Sequence, residues 1–273
     1  MKACSFEFIR ARSVGEASRL LGEADGNGRV IAGGQSLGPM MNLRLALPRL
    51  LVDITGIPEM TVIEEASDAV TLGACVTSAD IEDRKLPGRN FEALSAIASR
   101  IAYRAVRNRG TVGGSLCHAD PAGDWPPVLC ALGAECLIVG PSGQRWLKAS
   151  DFITGAYETA LGPAEVLERI KLPRPSPAGR LGYCKIARKA GEFAMAMAAV
   201  MNDPERRIFC AVIGATNGRP IVVPEASALL RHDKTVDQSA VSALLAQNGI
   251  TGRIALLQQT AALGRAYNQA LEK

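Results

Sequence analysis

Two glycine pairs, each followed closely by a hydroxyl residue, give the clearest chemical signal in this chain. The first segment is Ala32-Gly33-Gly34-Gln35-Ser36 and the second is Thr111-Val112-Gly113-Gly114-Ser115. Paired glycines let a backbone approach a diphosphate closely and turn successive N–H groups toward its oxygens, and the hydroxyls of Ser36, Thr111 and Ser115 add further donors. Either pair alone is more often a tight turn, but the recurrence of the same donor types favours one anion bound by both segments.

Neither segment fits the best-known nucleotide motifs. The P-loop pattern GxxxxGK[ST] and the dinucleotide pattern GxGxxG are both absent, which argues against a nucleoside triphosphatase and against a Rossmann NAD site. The sequence also shows no nucleophile beside a base and no pair of carboxylates placed for acid–base work. Phosphate-binding segments without an acid–base set are typical of a protein whose bound cofactor supplies the chemistry.

Several polar residues follow the second segment. A carboxylate at Asp120 can hold ribose hydroxyls, but an aspartate directly before Pro121 more often starts a turn and caps the next helix, and we favour that interpretation. His118 stands alone, and a lone histidine beside a turn is usually only hydrogen-bonded.

The strands expected before the glycine segments explain how those segments are positioned. Residues 29–32 form a short buried strand that runs into the first segment, and residues 50–54 form another, with a helix or loop over 37–47 between them. Residues 69–76 alternate like a strand, and Thr77 then has the chemistry of a helix cap.

Apolar residues recur at three and four positions from Phe91 to Ala105, which predicts one helix that ends at a left-handed Gly110. Its arginines form a solvated face or add positive charge beside a bound phosphate; they are Arg100, Arg104, Arg107 and Arg109.

Later segments predict a mixed architecture. We expect a short helix over 127–132, a hairpin of strands 135–139 and 144–148, strands over 182–187 and 208–215, and a helical tail from residue 236. Strands and helices alternate without a regular βαβ order, so the sequence predicts an α+β fold.

Composition limits the class of protein. The chain has 273 residues, a hydrophobic fraction of 48% and a net charge of +4, with aromatics at 4%, which fits a folded globular protein and not a nucleic-acid binder. Its 7 cysteines are scattered without a CxxC pair, so reduced thiols and no cluster or zinc site are expected. No segment is apolar enough for a membrane span or a signal peptide, and we expect a cytoplasmic protein.

Three alternating prolines mark the main expected boundary, at residues 173–179. The surplus of basic residues also lies beyond this point. We therefore predict one domain over 1–177, with lobes at about 1–57 and 58–177, and a second domain over 178–273.

The glycine segments, together with the segment HADPAGD over 118–124, closely resemble the FAD-binding medium subunit of molybdenum hydroxylases, the family of xanthine dehydrogenase and carbon monoxide dehydrogenase. The similarity continues through DFITGAYET at 151–159 and KIARKAGEFA at 185–194, and it extends over essentially the whole chain. The order of these motifs is far more specific than any one of them.

The resemblance implies a fold of two α/β lobes that enclose FAD in a domain of the PCMH type, followed by a small α+β domain of the carbon monoxide dehydrogenase medium-subunit type. It assigns the FAD diphosphate to Ala32, Gly33, Gly34, Gln35 and Ser36 and to Thr111, Val112, Gly113, Gly114 and Ser115. It assigns flavin or ribityl contacts to Asp124, Leu167 and Lys185. A strand lysine is ordinarily solvated, but near a flavin ring it would stabilise negative charge on the reduced ring.

The same resemblance implies the partners. This chain would be the FAD subunit of a heterotrimer, in a dimer of heterotrimers, with [2Fe-2S] clusters on a small subunit and the molybdenum cofactor on a large subunit where substrate is oxidised. Electrons would pass from the clusters through FAD to an external acceptor. Two alternatives stay open: a self-sufficient flavin reductase or oxidase, and a non-catalytic assembly subunit.

Two positions depart from the family pattern. Ile101 stands where some relatives have an aromatic residue against the adenine, and Phe193 stands where carbon monoxide dehydrogenases tend to have a tyrosine beside the isoalloxazine. Neither residue selects the substrate, which the resemblance assigns to another subunit, and the loss of a hydroxyl at Phe193 leaves the electron acceptor open.

Overall fold

The computed structural model describes residues 2–88, 91–233 and 235–272. Its strands are β1 (Glu7–Arg10), β2 (Gly28–Ile31), β3 (Leu50–Asp53), β4 (Ile63–Glu65), β5 (Ala69–Gly73), β6 (Glu135–Gly140), β7 (Gly143–Lys148), β8 (Ile153–Gly155), β9 (Glu158–Thr159), β10 (Val166–Pro173), β11 (Arg180–Ile186), β12 (Ala196–Asp203), β13 (Ile208–Gly214) and β14 (Ile221–Val223). Its helices are α1 (Val14–Glu23), α2 (Leu37–Asn42), α3 (Ser78–Glu82), α4 (Glu92–Ala98), α5 (Arg104–Arg107), α6 (Val112–His118), α7 (Trp125–Ala131), α8 (Ala149–Phe152), α9 (Gln238–Gln247) and α10 (Arg253–Leu271).

The first lobe is a small parallel sheet in the order β1-β3-β2. Helix α1 connects β1 to β2, and the Ser13 side chain caps it by accepting the Glu16 N–H at 3.2 Å. Val14, Ala17 and Leu21 of α1 are buried against the sheet. Because β2 ends at Ile31, the first glycine segment leaves the carboxyl end of a parallel strand.

The second lobe is built on a sheet in the order β4-β5-β10-β6-β7 with antiparallel pairing throughout. The β6–β7 hairpin closes with Gly140 opposite Gly143, as the sequence predicted. Helix α6 packs against β10 of this sheet, and α7 packs against α6 and against β12 and β13 of the last sheet. Leu116 and Val128 are completely buried in the core that both lobes share.

The last region is an antiparallel sheet in the order β11-β12-β13-β14 that is buried on both faces. Met197, Ala199 and Met201 of β12 belong to the core of the first two lobes, whereas Ala198 and Val200 pack in a second core that includes α10. Burial on both faces removes the alternation of polar and apolar residues, and for that reason β12 gave no strand signal in the sequence.

The fold is of the predicted α+β class, and the predicted strands, hairpin and helical tail are found. Strand β5 is shorter than expected and ends at Gly73, and α7 begins two residues early at Trp125. The boundary at 173–179 corresponds to the connection between β10 and β11. The division into domains at 177 stays a prediction.

The helix predicted from Phe91 to Gly110 is wrong. Helix α4 ends at Ala98, Ala102 has a positive φ of 43°, and α5 starts only after the extended Tyr103. The Arg107 guanidinium donates to the carbonyl oxygens of Ile101 and Ala102 at 2.8 and 3.0 Å, which stabilises the break. Gly110 is also not left-handed, and α5 ends at Arg107 with Asn108 as a right-handed C-cap.

Within the described residues, no helix combines the length and the apolar character that crossing a membrane requires.

Candidate functional site

A cavity of about 520 Å³ lies where the two glycine segments meet. Its size is within the roughly 300–1,000 Å³ that small-molecule and cofactor sites occupy. Most of the residues that the sequence assigned to a site line it, namely Ala32, Gly33, Gly34, Gln35, Ser36, Thr111, Gly113, Gly114, Ser115, Asp124 and Leu167. Val112 and Lys185 do not line it.

The segments are in direct contact although some 77 residues separate Gly33 from Gly110 in the sequence. A Cβ atom on Gly33 would overlap the carbonyl oxygen of Arg109 and lie 2.9 Å from the Gly110 Cα. Glycine is therefore required at position 33 because the backbone of the second lobe occupies the place of a side chain.

The first segment presents backbone N–H groups without partners. Within the described part of the chain, the N–H groups of Gly34, Gln35 and Ser36 meet no acceptor, and neither does the Ser36 hydroxyl. Gly34 has a positive φ of 70°, and its carbonyl accepts the Gly38 N–H at 2.9 Å. This left-handed turn leaves three consecutive donors available to an anion.

The second segment differs, because the N–H groups from Val112 to Ser115 already have acceptors. Val112 donates to the Val76 carbonyl at 2.9 Å, Gly113 to the Ala74 carbonyl at 3.0 Å, and Gly114 to the Thr111 hydroxyl at 3.0 Å. The expectation that successive N–H groups of both segments are free for an anion is thus met only by the first. Val112 is also completely buried.

Asp124 contributes a buried carboxylate at the cavity wall, at the start of α7. Its Oδ1 accepts the Tyr183 hydroxyl at 2.6 Å and lies 2.8 Å from the Lys185 Nζ. That Nζ also donates to the Arg100 carbonyl at 3.1 Å. Lys185 therefore contacts the cavity wall through Asp124, and its charge is paired.

The arginines of α5 are paired with acids rather than aimed at an anion. Arg107 binds Glu82 with two hydrogen bonds of 2.7 and 2.9 Å, and Arg104 binds both Glu82 and Asp83. The hydrogen bond from Arg107 lowers the pKa of Glu82, so the carboxylate stays ionised. Neither of the two interpretations of this basic run holds for Arg107, which is buried and paired with an acid instead of being solvated or free to support a phosphate.

Asp120 forms the expected turn, since its Oδ1 accepts the Ala122 N–H at 2.9 Å. The expectation that it also caps the next helix is wrong, because Asp124 occupies the N-cap position of α7. Asp120 also faces the cavity beside His118 and Tyr157, whose rings lie 5.2 Å apart. Burial lowers the pKa of His118, and burial together with Asp120 raises the pKa of Tyr157. Cys117 also opens onto the cavity.

Sequence reasoning did not single out Tyr183, or Tyr157 as a cavity residue. Tyr157 has a positive φ of 58° and its side chain is 60% exposed. No local pattern marks these residues, because elements distant in the sequence bring Tyr157 to the cavity and Tyr183 to Asp124. Ile101 and Phe193 do line the cavity, with Phe193 69% exposed at its edge.

Among the described residues, no group of three or more histidine, cysteine, aspartate or glutamate side chains is arranged to hold a metal ion.

Residues 4–175 match the family model of the FAD binding domain in molybdopterin dehydrogenase. The chain is 34% identical to the nicotine 6-hydroxylase medium subunit of Paenarthrobacter nicotinovorans over 247 residues, 89% of this chain and 86% of that protein. It is 38% identical to the carbon monoxide dehydrogenase medium chain of Hydrogenophaga pseudoflava over 72% of this chain and 68% of that one.

Comparison with solved structures also finds a protein of this kind. A chain of the reconstituted CO dehydrogenase from Oligotropha carboxidovorans superimposes with a TM-score of 0.89 at 30% identity and covers 99% of both chains.

Proposed function

Because this chain belongs to the family of FAD-binding medium subunits of molybdenum hydroxylases, we propose that it carries electrons from [2Fe-2S] clusters of a partner subunit to an external acceptor. As a component of such a dehydrogenase it is part of an oxidoreductase. The observation that carries the proposal is the single cavity that both glycine segments line within the matched region.

The residues present fit FAD. The first segment offers the unpartnered N–H groups of Gly34, Gln35 and Ser36, which suit a diphosphate. The remaining wall is mainly apolar and includes Trp125, Leu161 and Leu167, which suits a flat ring system. Glycine at position 33 lets the two segments come into contact, so that both can line one ligand site.

Bound FAD would supply redox chemistry that no side chain of this chain provides, since it takes up and releases electrons singly or in pairs. The chain's own residues bind and orient it. In this proposal Ala32 to Ser36 bind the diphosphate through backbone donors, while Thr111 to Ser115 form the opposite wall and add the Ser115 hydroxyl. Leu167 and the other apolar residues exclude water from the ring.

Asp124 accepts hydrogen bonds from the cofactor in this assignment. Lys185 acts behind Asp124, and Val112 supports the wall through its buried side chain and its bond to Val76. Stabilisation of the reduced ring by an unpaired Lys185 charge is not favoured, because Asp124 neutralises that ammonium group.

The partners in this proposal are a small iron–sulfur subunit and a large molybdenum subunit, in a dimer of heterotrimers in the cytoplasm. Exposed leucines beside the cavity support a docking surface: Leu43, Leu45 and Leu47 are 55–72% exposed. The N–H groups of Leu45 and Ala46 both donate to the Met40 carbonyl, and Met40 and Ala46 line the cavity.

We assign this leucine surface to the iron–sulfur subunit, since a partner seated on it would lie next to the cavity. Arg44 and Arg49 are exposed within the same stretch, so the partner's matching surface should be acidic around an apolar centre. The substitution Leu45→Glu should reduce copurification of the small subunit by about tenfold or more while FAD content is kept.

Leu257→Glu is the matched control, because Leu257 is 61% exposed on α10, outside the leucine surface. Equal loss of the partner in both variants, or in neither, would refute the leucine surface as the docking site.

Reduction of the assembled complex tests the function itself. Anaerobic addition of a substrate that the large subunit oxidises should bleach the visible absorption of the flavin, and removal of this chain should stop transfer to the acceptor. Turnover by the isolated chain with a substrate of its own would favour the flavin reductase or oxidase. A complex that keeps full activity with no flavin on this chain would favour the assembly subunit.

A further inference from the structure

The Asp124 carboxylate is held from outside the matched FAD-binding region. Tyr183 and Lys185 both contact it and lie two residues apart on β11, so their side chains are on the same face of the strand. Strand β11 starts at Arg180, whereas the family match ends at residue 175. The last sheet therefore reaches the cavity wall through these two side chains.

The three groups form a buried and electrically neutral set. The side chains of Lys185 and Asp124 are only 6% and 7% exposed, and their opposite charges cancel. Burial and the adjacent Asp124 carboxylate raise the pKa of Tyr183 well above its usual value of 10, so its hydroxyl remains a donor. Removing one member of such a set leaves a buried group without its partner, which is costly.

The hydrogen bonds leave Asp124 partly unsatisfied. An ionised carboxylate has about four acceptor positions. The Tyr183 hydroxyl donates to Oδ1 at 2.6 Å, and the Lys185 Nζ donates to Oδ2 at 3.1 Å while it also lies 2.8 Å from Oδ1 as an ion pair. One position on Oδ2 is left, on a residue that lines the cavity.

We propose that Tyr183 and Lys185 are positioning residues that hold the ionised Asp124 carboxylate at the cavity wall, where its remaining acceptor position binds a hydroxyl group of the cofactor. This inference rests on the proposed function, because it takes FAD as the occupant. It makes the last sheet part of the cofactor site, although that sheet lies outside the family match.

A double-mutant cycle on the purified chain tests the proposal, with FAD affinity read from flavin fluorescence and unfolding followed separately without FAD. Tyr183→Phe should weaken FAD binding about tenfold, the usual effect of losing a hydrogen bond to a charged group. In the Asp124→Asn background the same change should have little further effect, because Tyr183 acts through Asp124.

Tyr267→Phe is the matched control. The Tyr267 side chain is also buried, and its hydroxyl donates to the Ala226 carbonyl at 2.6 Å in the second core, outside the cavity lining. It should lower the unfolding temperature as Tyr183→Phe does, yet leave FAD affinity unchanged.

The reduction potential of bound flavin gives a readout that a purely structural role would not move. Lys185→Met should lower the potential in alkaline buffer, since an unpaired carboxylate then faces the cavity. The pair Lys185→Met with Asp124→Asn should return it toward the wild-type value.

Three results would overturn this inference without overturning the proposed function. They are an unchanged FAD affinity in Tyr183→Phe, additive effects of Tyr183→Phe and Asp124→Asn on FAD affinity, and an unchanged flavin reduction potential in Lys185→Met. A wild-type chain that fails to bind FAD would overturn the proposed function, and this inference with it.

Discussion

The two glycine segments look alike in sequence and differ in what their backbones do. In the first segment the N–H groups of Gly34, Gln35 and Ser36 meet no acceptor among the described residues, whereas in the second those of Val112, Gly113 and Gly114 are bonded inside the protein. The first segment therefore has free donors that a ligand could use, whereas the second is bonded into the protein.

Their settings explain the difference. The first segment leaves the end of β2 and turns at a left-handed Gly34, which leaves its donors free. The second forms the start of α6 and is fixed to the chain after β5 by a bridge between Thr77 and Thr111. We expect substitutions in the first to act on cofactor affinity and substitutions in the second to act on folding.

The largest expected effect is that of Gly113→Ala. A Cβ at this position would lie 2.5 Å from the Ala74 Cβ and 2.6 Å from the Ala74 carbonyl oxygen, so α6 would have to move. The free energy of unfolding without FAD should fall by about 3 kcal/mol, the upper range for overpacking a core. Urea denaturation measures it.

Gly15→Ala is the control, since nothing lies within 4 Å of a Cβ there and α1 gains a better helix former. Wild-type stability in Gly113→Ala would mean that α6 does not rest on Ala74.

The next effect is that of Gly34→Ala on cofactor affinity. Space is adequate, because the nearest atom to a new Cβ is the Ile31 Cδ1 at 3.4 Å, but a φ of 70° is strained for alanine. The free segment should relax away from this conformation and weaken FAD binding by about tenfold, which corresponds to a strain of about 1–2 kcal/mol. A fluorescence titration with FAD reports the change.

Gly133→Ala introduces the same strain at a φ of 68° away from the cavity. It should cost stability and leave FAD affinity as it is. If both variants weakened FAD binding equally, the effect of Gly34→Ala could not be attributed to the donors of the first segment.

The smallest effect concerns the support of the second segment. Asp80 accepts from the Thr77 N–H and hydroxyl and pairs with Lys85 at 2.6 Å, and Ser78 donates to the Gly110 carbonyl. Burial alone would raise the pKa of Asp80, but the hydrogen bonds from Lys85 and Thr77 lower it below 3.8. The carboxylate therefore contributes stability above its ordinary pKa and loses it as the pH falls through the lowered value.

Asp80→Asn should cost about 1 kcal/mol in the free energy of unfolding at neutral pH, as the loss of a capping interaction does. The difference from wild type should shrink on acidification below about pH 4. Denaturation curves of both proteins at several pH values across this range measure the difference. A difference independent of pH would contradict the ionised cap.

Sequence reasoning worked where one element carried the whole signal. The β6–β7 hairpin, the Thr77 cap and the strand before Gly33 each follow from local pattern, and the α+β class follows from their order. It failed where contacts between residues distant in the sequence determine the local structure. Ala102 interrupts a helical pattern because Arg107 bonds its carbonyl, and β12 lacks alternation because both its faces are buried.

Sequence reasoning about the site was limited in the same way. The glycine segments predicted a common cavity, and both line it. Spacing does not tell which N–H groups are free, since the acceptors Ala74 and Val76 lie in the connection after β5, far from the segment in sequence. Nor does it connect Tyr183 with Asp124, which are 59 positions apart.

Amide hydrogen exchange of the chain with and without FAD tests the central claim most directly. Without FAD, the amides of Gly34, Gln35 and Ser36 should exchange fast and those of Val112, Gly113 and Gly114 slowly. Added FAD should slow the first set and change the second little. Bound FAD that leaves 34–36 unprotected, or protects only 112–114, would contradict the division of roles between the two segments.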